Sequence, residues 1–410
     1  MVALGSAVAT CASEESTRRQ PPLACCTVTI TATVPEGTGT LYLTGSLPEL
    51  GPWDPAGLAM LGTGRERTAR VTVPRGGTFE YKFTLGSWER EALNSDGSVP
   101  PNHQLLVDGA TDAVHAITAF GDRPPRRDPR EYIADWEGSG VEGRLVYWTD
   151  VGSAHLKLTR HVEIWLPPGY DEAPSTRYPV LYMHDGQNLF DPRIANTGVD
   201  WGVDESVVRL VDRGIIPPVI VVGVWSTAAR LVEYSPWHGA PDYARFLIEE
   251  LKPRIDAEFR TQTGPEHTAV MGSSMGGLLS FYLVTHHSDV FGACGCVSTH
   301  FPISEAVVAR SFRAGPPTPN PDETPYVLRD IEAGLEAPTG ARYRFDYGSE
   351  GLDADYGPTH AIVREWLLRQ GRVEVRDFEV REYKGATHNE ASWRARLDDS
   401  LIFLFGDDGR

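Results

Sequence analysis

From Thr27 the chain alternates in hydropathy: Val28, Ile30, Ala32 and Val34 are apolar, and Thr27, Thr29, Thr31 and Thr33 between them are polar. A period of two predicts a half-buried strand. Short runs of the same kind recur at residues 40–44, 70–73, 79–85, 104–107 and 114–119, separated by Gly and Pro turns. Many short strands at this spacing predict a small all-β sandwich over residues 27–120. Residues 121–140 form a Pro-rich, highly charged linker. Beyond it the pattern changes to strands alternating with helices. Strands are expected at 143–148, 161–166, 180–184, 219–224, 268–271, 292–297, 342–347 and 375–382. Helices are expected at 203–212, 241–259, 277–286, 304–312, 325–331, 358–370 and 390–405, with an irregular Pro-dense rim at 313–323. Near-continuous apolar strands between helices predict, for residues 141–410, an α/β domain whose mostly parallel sheet is covered on both faces.

One stretch organises this second domain. Thr268-Ala269-Val270-Met271 suits a buried strand, Gly272-Ser273-Ser274-Met275-Gly276 follows, and Leu278, Leu279, Phe281, Tyr282 and Leu283 continue with helical potential. A Gly-x-Ser-x-Gly core between strand and helix is the nucleophile elbow of the α/β-hydrolase fold. A serine hydroxyl is a weak nucleophile, so it has to be exposed on a sharp turn beside an oxyanion site. Ser274 is the expected nucleophile, and Ser273 the structural residue beside it.

The chain order of this fold is Ser, acid, His. Only His388 follows the last strand, in Gly385-Ala386-Thr387-His388-Asn389-Glu390, and it is the expected base. The acid is open: Asp353 ranks first, Glu350 is the close alternate and Asp355 comes third, all on the loop after the strand at 342–347. The oxyanion donors expected are the amides of Met275, which follows the nucleophile, and Gln187, which follows Gly186 in the loop after the strand at 180–184. His184 beside Asp185 lacks the partners of a metal site, so no metal and no cofactor are expected.

Composition narrows the functions. Lys+Arg 38 against Asp+Glu 56 gives a net charge of −18, which repels phosphate backbones and excludes nucleic acid as a partner. No apolar run is long enough for an integral membrane segment. Cys11, Cys25, Cys26, Cys294 and Cys296 form neither a zinc spacing nor a disulfide framework. Residues 1–26 read as disordered. Val8-Ala9-Thr10-Cys11 looks like a lipoprotein cleavage site but lacks a positive n-region, leaving two locations open. The protein is cytoplasmic, or it is exported and lipid-anchored from a start further upstream.

Two resemblances add to this. Leu43-Thr44-Gly45-Ser46-Leu47-Pro48-Glu49-Leu50-Gly51-Pro52-Trp53-Asp54-Pro55 and Glu80-Tyr81-Lys82-Phe83-Thr84-Leu85-Gly86-Ser87-Trp88-Glu89 resemble the starch-binding carbohydrate modules of the family-20 type. The resemblance implies glucose rings stacked on Trp53 and Trp88 beside Lys82; the alternative is that both tryptophans fill the sandwich. Where that family places an Asn soon after its Trp, residues 92–101 intervene here before Asn102. The segments His184-Asp185-Gly186-Gln187-Asn188-Leu189-Phe190, Arg230-Leu231-Val232-Glu233-Tyr234-Ser235-Pro236, Gly272 to Gly277 and Thr387-His388-Asn389-Glu390-Ala391-Ser392-Trp393 resemble a family of esterases. That family includes carbohydrate esterase family 1 feruloyl and acetylxylan esterases, enterobactin-type siderophore esterases, S-formylglutathione hydrolase and mycolyltransferases. It implies a serine carboxylic ester hydrolase with Ser274, His388, the Gln187 and Met275 amides and an acid at 350–353. The expected substrate is an acyl ester on a carbohydrate or polyol. Siderophore esters and acyl transfer are the enzymatic alternatives, and non-catalytic glycan binding is the alternative of another class.

Overall fold

A computed structural model of the chain describes residues 25–406, apart from 52–53, 76, 96, 98, 101, 108, 123–139, 228 and 306–322. Cys11, Trp53, most of the expected linker, and nearly all of the expected helix at 304–312 and rim at 313–323 lie outside the described residues. The chain divides into two units, Met1–Pro125 with Ile303–Pro325, and Arg126–Pro302 with Tyr326–Arg410.

The first unit contains β1 (Cys25–Thr33), β2 (Tyr42–Gly45), β3 (Leu58–Ala59), β4 (Glu66–Pro74), β5 (Gly77–Thr84), β6 (Ala92–Leu93), β7 (His103–Val107), β8 (Thr111–Ala116) and β9 (Ala119–Phe120). They form sheets of order β4-β1-β8 and β3-β2-β5-β7, and a β6-β9 pair. Val28, Ile30 and Ala32 of β1 are fully buried, and they share one core with Leu43, Phe79, Tyr81 and Phe83 of the second sheet. Alternation thus puts one face of each sheet against the other and leaves the threonines of β1 facing outward.

The second unit is built on β10 (Arg144–Val151), β11 (Arg160–Leu166), β12 (Val180–His184), β13 (Ile220–Val224), β14 (Thr268–Ser273), β15 (Ala293–Val297), β16 (Arg342–Gly348) and β17 (Phe378–Tyr383). Their order is β10-β11-β13-β12-β14-β15-β16-β17. The pairs β10–β11 and β11–β13 are antiparallel; from β13 to β17 every pair is parallel. Central strands β12 to β15 are buried at every position, as expected of a parallel sheet with helices on both faces. The loops after β12 through β17 leave one edge of the sheet together, the edge at which parallel α/β sheets place their sites.

Local departures from the hydropathy pattern have physical causes. The run expected at 241–259 is helical, but Phe246–Leu251 within it is a π-helix. Pro253 follows two residues later; it has no amide hydrogen, and its ring crowds the carbonyl four residues back, which a wider turn accommodates. The helix expected at 390–405 is two helices, Glu390–Arg394 and Leu397–Phe405, because Arg396 leaves helical geometry (φ −122°, ψ 9°) to turn its guanidinium inward. The strand expected at 375–382 begins at Phe378, after Val375 adopts a φ of 73°.

The helix Met275–His286 is apolar on all sides, and only Tyr282 and His286 are not buried. Glycines allow it to dock. A β-carbon at Gly272 would sit 2.8 Å from the Gly276 carbonyl carbon, and one at Gly277 would sit 3.2 Å from the carbonyl oxygens of Gly272 and Val297. Gly272→Ala should lower stability by about 1–3 kcal/mol through overpacking, seen as a lower urea midpoint. An unchanged midpoint would mean that strand and helix can separate freely.

Candidate active site

Ser274 lies between the end of β14 and the helix Met275–His286, with φ 56° and ψ −119°. This is a strained conformation for a residue with a side chain, of order 1–3 kcal/mol. Its amide donates to the Val297 carbonyl at 2.9 Å, and its carbonyl accepts from Leu278 at 3.1 Å and His300 at 3.2 Å. Because Met275 is the first residue of the helix, its amide has no carbonyl four residues back within that helix. The turn after β12 approaches from the neighbouring strand. Asp185 (φ 58°) leads into the short 3-10 turn Gly186–Asn188. A β-carbon at Gly186 would sit 2.6 Å from the Gly223 carbonyl carbon, so only glycine lets this turn rest on β13. The Gln187 side chain is pinned to Ser226: its Nε2 donates to Ser226 Oγ at 2.8 Å, and its Oε1 accepts the Ser226 amide at 3.1 Å. Asp185 is clamped by Arg230 through Nε at 2.7 Å and Nη2 at 2.8 Å. Burial alone would raise the Asp185 carboxyl, but the Arg230 charge and hydrogen bonds hold it below the usual carboxylate range. The His184 imidazole is pushed down to about 4 by burial, against the attraction of Asp185.

His388 Nδ1 donates to Asp353 Oδ1 at 2.6 Å. The imidazole is held from several sides. Asn389 caps the helix Glu390–Arg394 by accepting from the Ser392 amide at 2.9 Å, and Trp393 meets the His388 ring edge-on at 5.1 Å. Asp353 is fully buried on the 3-10 turn Gly351–Asp355, which turns it inward, whereas Glu350, Ala354 and Asp355 are exposed. The structure therefore brings Asp353 to His388 and leaves the alternate acids Glu350 and Asp355 on the surface.

Beneath Asp353 lies a polar layer that the sequence reading did not single out. Asp353 Oδ2 accepts from Ser298 Oγ at 2.5 Å and from the Gly348 amide at 2.7 Å, and Arg396 Nη2 lies 3.8 Å away. Ser298, itself at φ 42°, also accepts from Trp393 Nε1 at 3.0 Å and Arg396 Nη2 at 2.6 Å. Arg396 and Arg344 share Asp346, at 3.0 Å and 2.8 Å. These residues come from three distant segments and form no local motif; the one sequence signal is Arg396 itself, a charge on the otherwise apolar face of the last helical run. Burial alone would raise the Asp353 carboxyl. The His388 hydrogen bond and charge, with Ser298 and Gly348, outweigh that and hold it below its usual range.

In the first unit Lys82 is tied to Glu91 at 2.9 Å and Trp88 is half-buried at the start of the turn Trp88–Arg90. Asn102 donates to Glu80 Oε2 at 3.0 Å. Among the described residues no group of three or more His, Cys, Asp or Glu could hold a metal ion. No helix among them is long and apolar enough to cross a membrane.

A serine on a strained strand–helix turn and, in the same unit, a histidine bonded to a buried carboxylate are the groups that serine-hydrolase chemistry uses. Residues 153–404 match the family described as "Putative esterase", so the chain belongs to that esterase family. Residues 26–108 match the starch binding domain family. Among curated proteins, an endo-1,4-beta-xylanase/feruloyl esterase of Xylanibacter ruminicola is 28% identical over 249 residues, 55% of this chain and 32% of that protein. The ferri-bacillibactin esterase BesA of Bacillus subtilis is 27% identical over 180 residues, 37% of this chain and 55% of that protein. The chain spans between 32% and 59% of the length of the first curated relatives it matches. Among solved structures, the enterobactin esterase of Shigella flexneri is 15% identical with a TM-score of 0.50, covering 94% of each chain, a likeness of fold alone.

Asp353 contributes stability by linkage. Its folded pKa lies below the unfolded value, so the stabilisation is present above the unfolded value of about 4 and is lost as pH falls through the folded one. The urea midpoint of wild type should exceed that of Asp353→Asn at pH 7, and the gap should narrow on acidification below about pH 4. A gap constant from pH 7 to pH 3 would contradict a charged carboxylate at this position.

Proposed function

We propose that the chain is a serine carboxylic ester hydrolase that removes an acyl group, of acetyl or feruloyl type, from a carbohydrate or similar polyol. The observation that carries this reading is the 2.6 Å bond from His388 to the buried Asp353 on the sheet edge that presents Ser274. In this mechanism His388 takes the Ser274 proton as the hydroxyl attacks the ester carbonyl. Asp353 keeps the imidazole in the right tautomer and stabilises the imidazolium. The amides of Gln187 and Met275 receive the developing oxyanion, helped by the positive end of the helix Met275–His286. The alcohol leaves with the proton from His388, and water then hydrolyses the acyl-enzyme by the same groups.

The second unit is read as an α/β-hydrolase fold over residues 141–410, and the first as a β-sandwich over 27–120 joined to it by 121–140. A match to a starch binding family and a relative named a feruloyl esterase both favour a sugar-bearing substrate. Trp53, Trp88 and Lys82 are the glycan contacts in this reading. The ferri-bacillibactin esterase relative favours a siderophore ester as the second candidate.

An ester panel of acetylated and feruloylated saccharides, a catecholate triester and p-nitrophenyl acetate decides between them. Sugar esters should be turned over best, and Ser274→Ala or His388→Ala should abolish most turnover on all of them, because these residues act as one unit. A Ser274→Ala enzyme with near-wild-type rates would sink the assignment. Asp353→Asn should lower kcat by up to about 10⁴, the scale of the corresponding loss in a serine protease, while Glu350→Gln should change it little. The opposite pattern would move the acid to Glu350. Retention on insoluble starch should fall for Trp88→Ala with small-ester turnover unchanged, and equal retention of both proteins would remove Trp88 from the glycan site.

A further inference from the structure

Two further buried groups, Tyr356 and His300, gather at Ser274. Tyr356 is 1% exposed and donates its amide to the Asp353 carbonyl at 3.0 Å. Its hydroxyl lies 2.6 Å from His300 Nδ1 and interacts with the Ser274 side chain. The Tyr356 ring meets that of His388 edge-on at 5.8 Å. His300 is anchored to the elbow by its own amide, which donates to the Ser274 carbonyl at 3.2 Å. Burial, with His388 and Arg230 nearby, drives its imidazole down to about 4, so at neutral pH it is uncharged with a single N–H.

Donor and acceptor roles follow from what the serine must do. Ser274 gives its one hydrogen to His388, so its oxygen can only accept from Tyr356. The phenol therefore donates to Ser274 Oγ, and its own oxygen accepts from His300 Nδ1–H. Burial keeps the phenol far from ionising, so it is a donor that retains its proton.

Resting on the acyl-enzyme reading above, we propose that Tyr356 is a catalytic hydrogen-bond donor to Ser274 Oγ, oriented by His300 as a positioning residue, and that it acts chiefly in deacylation. In that step water adds to the acyl carbon and gives a proton to His388. The bond from the acyl carbon to Oγ then breaks, its electron pair goes to Oγ, and His388 returns the proton there. Tyr356 contributes a hydrogen bond and transfers nothing. Before acylation Oγ is a good acceptor and the bond is already made. In the acyl-enzyme Oγ is an ester oxygen, a poor acceptor, and the bond strengthens only as charge returns to it. Only interactions that strengthen toward the transition state accelerate a step, so deacylation gains more.

Stopped-flow hydrolysis of p-nitrophenyl acetate separates the two steps. Tyr356→Phe should slow the steady phase by about ten- to hundredfold while the burst rate constant changes by less than about threefold, and acetyl-enzyme should accumulate by intact mass. His300→Leu should show the same split, and His300→Asn, which keeps an N–H donor near the Nδ1 position, should restore deacylation. A merely structural role would give neither the split nor the rescue. Both steps falling together, or neither changing, overturns the proposal; should Tyr356→Phe not fold, the two His300 variants alone decide it. A wild type that neither turns over esters nor labels at Ser274 with a fluorophosphonate overturns the esterase reading and this inference with it. A normal wild type with unsplit variants overturns this inference alone.

Discussion

A carboxylate with no access to water has to be compensated where it stands, since the effective penalty for a buried ion is several kcal/mol. Asp353 is fully buried, and its surroundings are arranged to meet that requirement. The Gly348 amide at the end of β16 points at it, and only glycine fits there because a β-carbon would strike the Ala386 carbonyl oxygen. Ser298 takes a left-handed backbone conformation beside it, and Arg396 interrupts the last helical run to bring a guanidinium within 3.8 Å. The same compensation leaves Oδ1 for His388, so the groups that make the charge tolerable also aim the imidazole.

Ser274 shows the complementary strategy, in which strain rather than charge is held in place by packing. Ser274 keeps a positive φ because the strand before it and the helix after it are buried almost throughout and approach through glycines. Neither element can relax without opening the core. The turn that carries Gln187 is fixed in the same way, by close contact with Gly223 and by both atoms of its side-chain amide on Ser226. Positions that matter for chemistry are thus set by elements that are rigid for other reasons.

What could be read from the sequence divides along the same line. Strand and helix positions in the second unit follow from apolar periodicity, and the elbow follows from a short motif whose parts are neighbours in the chain. Asp353 and Glu350 could be only ranked, because the 3-10 turn at Gly351–Asp355, which buries one and exposes the other, leaves no hydrophobic period to detect. Ser298, Asp346, Arg396, His300 and Tyr356 were invisible as a group, since their hydrogen bonds join distant segments. The interrupted C-terminal helix was read as continuous for a related reason. Its apolar positions stay in phase across the break, and what ends the first helix is a long-range demand on Arg396.

The order of these parts along the chain has a temporal side. A ribosome delivers β14 and Ser274 before β15, β16 and β17, and His388 only roughly 110 residues after the serine. At about 5–20 residues per second that interval lasts on the order of ten seconds. Throughout it the nascent chain has Ser274 but neither His388 nor Arg396, and for most of it no Asp353 either. Ser274 is therefore made before every partner in the His388–Asp353 network, and Arg396 completes that network last.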